Sequence, residues 1–62
     1  MSVSDGLTPA ERNTVESLDA NQREFFEERA AIIEEGDRVS RIEAERRALV
    51  LTCQWFGLPP PH

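Results

Sequence analysis

The chain has no lysine and no tyrosine, one cysteine, one histidine and three glycines among its 62 residues. Cys53 alone cannot close a disulfide within the chain. His62 is the sole imidazole and no second thiol stands at ligand spacing, so neither a metal site nor a cofactor is expected. No hydrophobic run approaches the length of a membrane span, and no basic-then-apolar leader opens the chain, so no membrane contact is expected. One unpaired thiol fits a reducing compartment, and the expected location is cytoplasmic. The absence of lysine, with all seven basic residues arginine, reads as the compositional bias of a GC-rich bacterial genome.

What is present is charge and helix. A chain this short buries only about 60% of its unfolded surface. Small domains usually add disulfides, a metal or a partner. With the first two removed, association remains. The net charge is −5, unevenly spread. Residues 1–35 carry three arginines against nine carboxylates, whereas residues 36–50 carry four arginines against three. An acidic chain repels nucleic acid at long range, so nucleic acid is not an expected partner.

Residues 1–7 are small, polar and Gly-containing, and are expected to form a disordered leader. Met1 and this leader favour a free-standing product. Thr8-Pro9-Ala10-Glu11 then starts a helix, with proline at the first helical position and a Thr8/Glu11 capping box. Val15, Leu18, Phe25, Phe26, Ile32 and Ile33 continue one apolar stripe, predicting a long helix over about 9–35. Asp19 and Gln22 offer a second start, so a break near Asp19 giving three helices is the alternative. Gly36 is suited to the left-handed conformation that ends a helix. Ser40 and Glu43 form another capping box, opening a second helix over about 41–56 on the stripe Ile42, Leu49, Cys53 and Phe56. Gly57 ends it, and Pro59-Pro60-Pro61 give residues 59–62 the character of an extended tail.

The predicted fold is all-α, an antiparallel helical hairpin forming a single domain over 8–58. Ile32 and Ile33 would meet Ile42, Phe25 and Phe26 would meet Leu49 and Cys53, and Val15 and Leu18 would reach Phe56 and Leu58. The long helix outruns its partner and leaves its first turns uncovered. Dimerisation into a four-helix bundle follows as an expectation. The packing residues are thus Val15, Leu18, Phe25, Phe26, Ile32, Ile33, Ile42, Leu49, Cys53 and Phe56.

Each chemical candidate has a plainer reading. The carboxylates Glu24, Glu27, Glu28, Glu34 and Glu35 lack the histidines of a di-iron bundle and read as a solvated face. It is laced by Arg23–Glu27, Arg12–Glu16, Arg41–Glu45 and Glu43–Arg47 pairs. Cys53 has no neighbouring base and reads as a small buried hydrophobe. No nucleophile–base pair exists, so no enzyme and no small-molecule site are expected. Trp55 and Leu58 belong to the densest apolar cluster, which either closes the core or meets a second chain. Trp55 is read as partner-facing and Phe56 as core. Arg38, Arg41, Arg46 and Arg47 would serve a helix-turn-helix, yet Asp37 and Glu45 stand where such a motif needs apolar contacts.

Glu28-Arg29-Ala30-Ala31-Ile32, Ser40-Arg41 and Glu43-Ala44-Glu45-Arg46 resemble a segment of proteobacterial mobile-element proteins. There E-R-A-A-I leads through F-D-G-G-L into S-R-x-E-A-E, an accessory helical hairpin attached to primase-like, helicase-like and uncharacterised phage or conjugative-element proteins. The likeness covers residues 28–48. The connector departs from it: Glu35-Gly36-Asp37-Arg38-Val39 lacks the aromatic and moves the glycine. The resemblance implies a small helical module in a phage or mobile-element setting and carries no catalytic residue. The expected function is a non-catalytic protein–protein interaction module that packs helices with itself and with another protein. Alternatives are an acidic inhibitor mimicking nucleic acid on a basic surface, or helix-turn-helix-like DNA binding.

Overall fold

Thr8 opens the first helix, as its sequence predicts. Its hydroxyl accepts from the Glu11 N–H at 3.1 Å, and the Glu11 carboxylate accepts from the Thr8 N–H at 2.8 Å. The computed structural model describes residues 6–61. Among them are three helices and no strand: α1 (Pro9–Ser17), α2 (Ala20–Asp37) and α3 (Arg41–Phe56).

The single long helix expected over 9–35 is corrected to two. Leu18 is extended (φ −68°, ψ 137°) and Asp19 starts a new helix. Gln22 N–H donates to Asp19 Oδ1 at 2.8 Å, and Asp19 N–H donates to Gln22 Oε1 at 3.1 Å. These bonds satisfy donors that a helix start leaves orphaned. The Arg23 guanidinium reaches back across the break to the Val15 carbonyl at 3.2 Å, which satisfies an acceptor at the end of α1. Packing decides the rest. An unbroken helix would be about 40 Å long, whereas the longest dimension of the described residues is 27 Å. Folded back, α1 covers its own chain: Leu18 is buried, and Val15 packs on the same cluster. The uncovered first turns expected to recruit a second chain are therefore covered from within.

The pairing of α2 with α3 is antiparallel. Glu34 meets Arg41 beside the connector, and Phe25 meets Trp55 and Phe56 at the far end. Ala30, Ala44 and Ala48 are fully buried, and such small side chains let helix backbones approach closely. Phe26, Leu49 and Cys53 complete the core with Leu18, and Ile33 and Leu58 pack on its edge. Thr52 is also fully buried, its hydroxyl donating to the Ala48 carbonyl at 2.7 Å. That internal bond lets a polar residue occupy a core position.

The turn between α2 and α3 differs from expectation in two details. Gly36 is helical, and the left-handed residue is Arg38 (φ 55°, ψ 39°). The helix runs past its glycine to Asp37, whose carboxylate pairs with Arg47 at 3.0 Å. Ser40 accepts from the Glu43 N–H, but the Glu43 carboxylate turns to Arg47, so only half the expected box forms. Gly57 is left-handed (φ 69°), as its place predicts. There the Leu58 N–H donates to the Cys53 carbonyl at 2.8 Å, the bond of a Schellman cap, which carries Leu58 onto the core.

Of the leader expected over 1–7, residues 1–5 lie outside the described residues. Leu7 is buried, and the Gly6 carbonyl accepts from Arg46 at 3.0 Å. A Cβ at Gly6 would lie 2.9 Å from the Ile42 side chain, so glycine permits this approach.

Candidate interaction surface

Among the described residues, α1 covers one side of the α2–α3 pair and nothing covers the other. That bare side follows from helix phase. Phe25 and Phe26 are adjacent, so they project about 100° apart. Phe26 enters the core while Phe25 stays half-buried at the seam. Arg29 and Ile32 continue the Phe25 row on α2, and Phe25 and Arg29 face Leu51, Gln54 and Trp55 on α3. Phe25, Arg29, Leu51, Gln54 and Trp55 line a shallow groove of about 290 Å³. Trp55 is 74% exposed, Ile32 51% and Leu51 41%.

The aromatic geometry holds the groove in shape. Phe25 and Trp55 stack with centroids 5.9 Å apart and planes 11° from parallel. Phe56 meets Phe25 edge-on at 5.6 Å, and the Arg29 guanidinium lies 5.2 Å from the Phe25 centroid. Such contacts are worth about 0.5–1.5 kcal/mol each beyond area burial. Phe25 thus meets both the Arg29 cation and the Trp55 indole, and most of the indole remains open to solvent.

The residues expected to pack divide between the two sides. Leu18, Phe26, Leu49 and Cys53 are core, and Val15 and Ile33 flank it. Ile42 is half-buried against Gly6, and Phe56 is half-buried against Phe25. Ile32 is corrected from the inner stripe to the bare side, because Phe26, Ala30 and Ile33 set the inward phase of α2. Of the two residues expected to meet a partner, Trp55 is exposed. Leu58 is corrected to a core-edge residue, drawn in by the helix cap. Leu7, Ala44, Glu45 and Thr52 are buried although the sequence places none of them among the packing residues. Ala44 and Thr52 share the i, i+4 row of Ala48, a signal that small-residue spacing could have supplied.

The arginines expected to serve a nucleic-acid surface are mostly engaged. Arg41 bonds Glu45 at 3.2 Å and Glu34 at 3.3 Å. Burial alone would push its guanidinium down, but these carboxylates outweigh burial and hold it above its ordinary value. Arg46 pairs with Glu11 at 3.3 Å, and Arg47 pairs with Asp37 and Glu43, each at 3.0 Å. Arg38 is exposed and forms no ion pair among the described residues. The expected Arg41–Glu45 and Glu43–Arg47 pairs form, while Arg23 turns to the Val15 carbonyl and away from Glu27. The Thr8 N–H on its carboxylate, opposed by burial and reinforced by Arg46, holds Glu11 below its ordinary value.

Burial pushes the Cys53 thiol up, away from the thiolate that nucleophilic chemistry needs. Among the described residues no three His, Cys, Asp or Glu side chains gather as a metal site would require, and no helix is long and apolar enough to cross a membrane. Protein-family models, curated proteins and solved structures were each compared with the chain, and none matches.

Proposed function

We propose that this chain is a non-catalytic protein-binding module that acts by helix packing through the bare side of the α2–α3 pair. The observation that carries the reading is Trp55, 74% exposed yet held in place by its stack on Phe25. An exposed tryptophan stacked on an aromatic neighbour beside other apolar side chains is the usual composition of an interface anchor. In this reading α2 and α3 work as a helical hairpin, and two copies meet face to face. Their four long helices form a bundle with each α1 on the outer flank. A standard interface takes about 800 Å² from each partner, about a fifth of the 4247 Å² this chain exposes. The likeness of residues 28–48 to mobile-element segments supports a cytoplasmic setting in a phage or conjugative system, where a further protein is the second partner.

Leu51→Glu tests the reading because Leu51 is exposed and outside the core. It should dissociate the dimer in sedimentation equilibrium while leaving helicity unchanged. A variant that keeps the dimer would refute this side as the interface.

A second reading rests on Glu24, Glu27, Glu28 and Glu35, which are exposed and unpaired among the described residues. With Glu34 they could mimic nucleic acid on a basic protein. Salt separates the two: charge mimicry weakens steeply with ionic strength, and apolar packing does not. DNA binding through the four arginines is the least supported, since it would first have to break three sets of ion pairs. A gel shift at low salt showing no retardation would dispose of it.

A further inference from the structure

A second concavity lies on the opposite side of the molecule, where α1 crosses the α2–α3 pair. It measures about 250 Å³ and is lined by Leu7, Val15 and Phe26, with Arg12, Arg23 and Arg41 and the carboxylates of Glu16, Glu27 and Glu45. Glu45 is the unusual member. It is 4% exposed, and only one of its oxygens is engaged, Oε2 accepting from Arg41 Nε at 3.2 Å. The other, Oε1, is buried and receives no donor among the described residues.

A carboxylate oxygen held out of water without a donor costs free energy, and the cost is recovered when a donor arrives. Because Glu45 lines the cleft, the cleft is the side from which a donor can reach it. The chain offers little of its own. Arg23 is committed to the Val15 carbonyl, Arg41 is shared between Glu45 and Glu34, and Arg12, which also lines the cleft, makes no bond to Glu45. The lining as a whole is balanced, three arginines against three carboxylates, but within it Arg41 alone is bonded to both Glu45 and Glu34, so among the described residues this trio is one positive charge short. Leu7, Val15 and Phe26 supply an apolar wall for a short hydrocarbon body. The size falls just below the usual range for ligand pockets, about 300–1,000 Å³, and admits only a small molecule.

We propose that this cleft binds a small organic cation, an ammonium or guanidinium on a short aliphatic body, with Glu45 as the anion that receives it. No sequence motif announces such a site, because its members come from the segment before α1 and from all three helices. The cation places an N–H on Oε1, supplies the missing charge and lays its chain against Val15 and Phe26. Entry requires the side chains over Oε1 to part slightly, so the site favours slender primary cations over branched ones.

The test is an amide chemical-shift titration of the whole chain with n-butylammonium, and with n-pentanol as the uncharged probe of similar shape. Salt is held at about 0.15 M to screen surface charge. Butylammonium should give saturable shifts at Leu7, Val15, Phe26 and Glu45, and pentanol should give none. Glu45→Gln should weaken binding at least tenfold, and Val15→Phe, which narrows the cleft and keeps the carboxylate, should weaken it too. Absence of saturable shifts, equal shifts with pentanol, or undiminished binding by Glu45→Gln would overturn the site. If Glu45→Gln loses helicity, Val15→Phe decides, and undiminished binding there would overturn it equally. Leu51→Glu should bind butylammonium as the native chain does, so this site and the Trp55 surface stand or fall separately.

Discussion

On the side of the α2–α3 pair that α1 covers, Phe26, Ala30, Ala48, Leu49 and Cys53 are all but sealed from solvent. On the other side Ile32, Leu51 and Trp55 remain largely open. Both rows lie on the same two helices and use side chains of similar apolarity, so hydrophobicity does not decide their fate. Cover does. The break at Leu18–Asp19 lets α1 fold back over one row, and the described residues hold no fourth helix for the other. A residue's position on a helix sets the direction it faces. Whether it is buried depends on what the rest of the chain can bring to that direction.

The largest expected effect separates the two sides. Leu49→Ala removes a core side chain and should cost about 2–5 kcal/mol, much of the roughly 3–9 kcal/mol available to a domain of this size. Trp55→Ala, measured at a dilution where chains do not associate, should cost about 1 kcal/mol or less, mainly the Phe25 stack. Thermal melts followed by circular dichroism compare them directly. Equal losses would mean that Trp55 belongs to the core.

The connector offers the next largest change. Gly36 is helical with nothing within 4 Å of an added Cβ, while Arg38 holds a left-handed conformation. Exchanging the roles, Gly36→Ala with Arg38→Gly, should stabilise the covered side by about 1–2 kcal/mol, seen as a raised urea midpoint. No gain would mean that Arg38 has a compensating contact.

The break itself can be probed at its cap. Asp19→Ala removes the acceptor for the Gln22 N–H and should cost about 1 kcal/mol. If instead the helix straightened, helicity would rise and α1 would leave the core, exposing Cys53 to thiol reagents.

The smallest effect is a pH dependence. The folded-state pKa of Glu11 is depressed, chiefly by the Thr8 N–H, so its contribution is present above the unfolded carboxylate pKa. It is lost as pH falls through the lower folded value. Stability should therefore decline as the solution is acidified from about pH 5, and less so in Glu11→Gln. An equal decline in both would place the acid sensitivity elsewhere.

Much of this architecture is written locally. The Thr8 and Ser40 starts, the Gly57 stop and the span of α3 follow from residues within four positions of each boundary. The Asp19/Gln22 start is equally local, yet the apolar stripe running through it argued for continuity. Only the docking of α1 on α3 decides between them. Gly36 misled because a glycine suits the left-handed position without requiring it: the helix runs on to Asp37, and Arg38 takes that conformation. The exposed surface was half legible: Trp55 stood out by its phase, whereas Leu58 was taken inward by a backbone bond that composition does not announce. Glu45 was invisible, since an i, i+4 ion pair on a charged helix reads as solvated until a third helix covers it.

The most direct test of the account is the solution mass of the native chain, by light scattering after size exclusion over a wide concentration range, with Trp55 emission recorded alongside. The account predicts twice the 7.0 kDa of one chain, falling to one on dilution as the emission shifts to the red. A single-chain mass throughout, with Trp55 emission always that of exposed indole, would contradict pairing through the bare side.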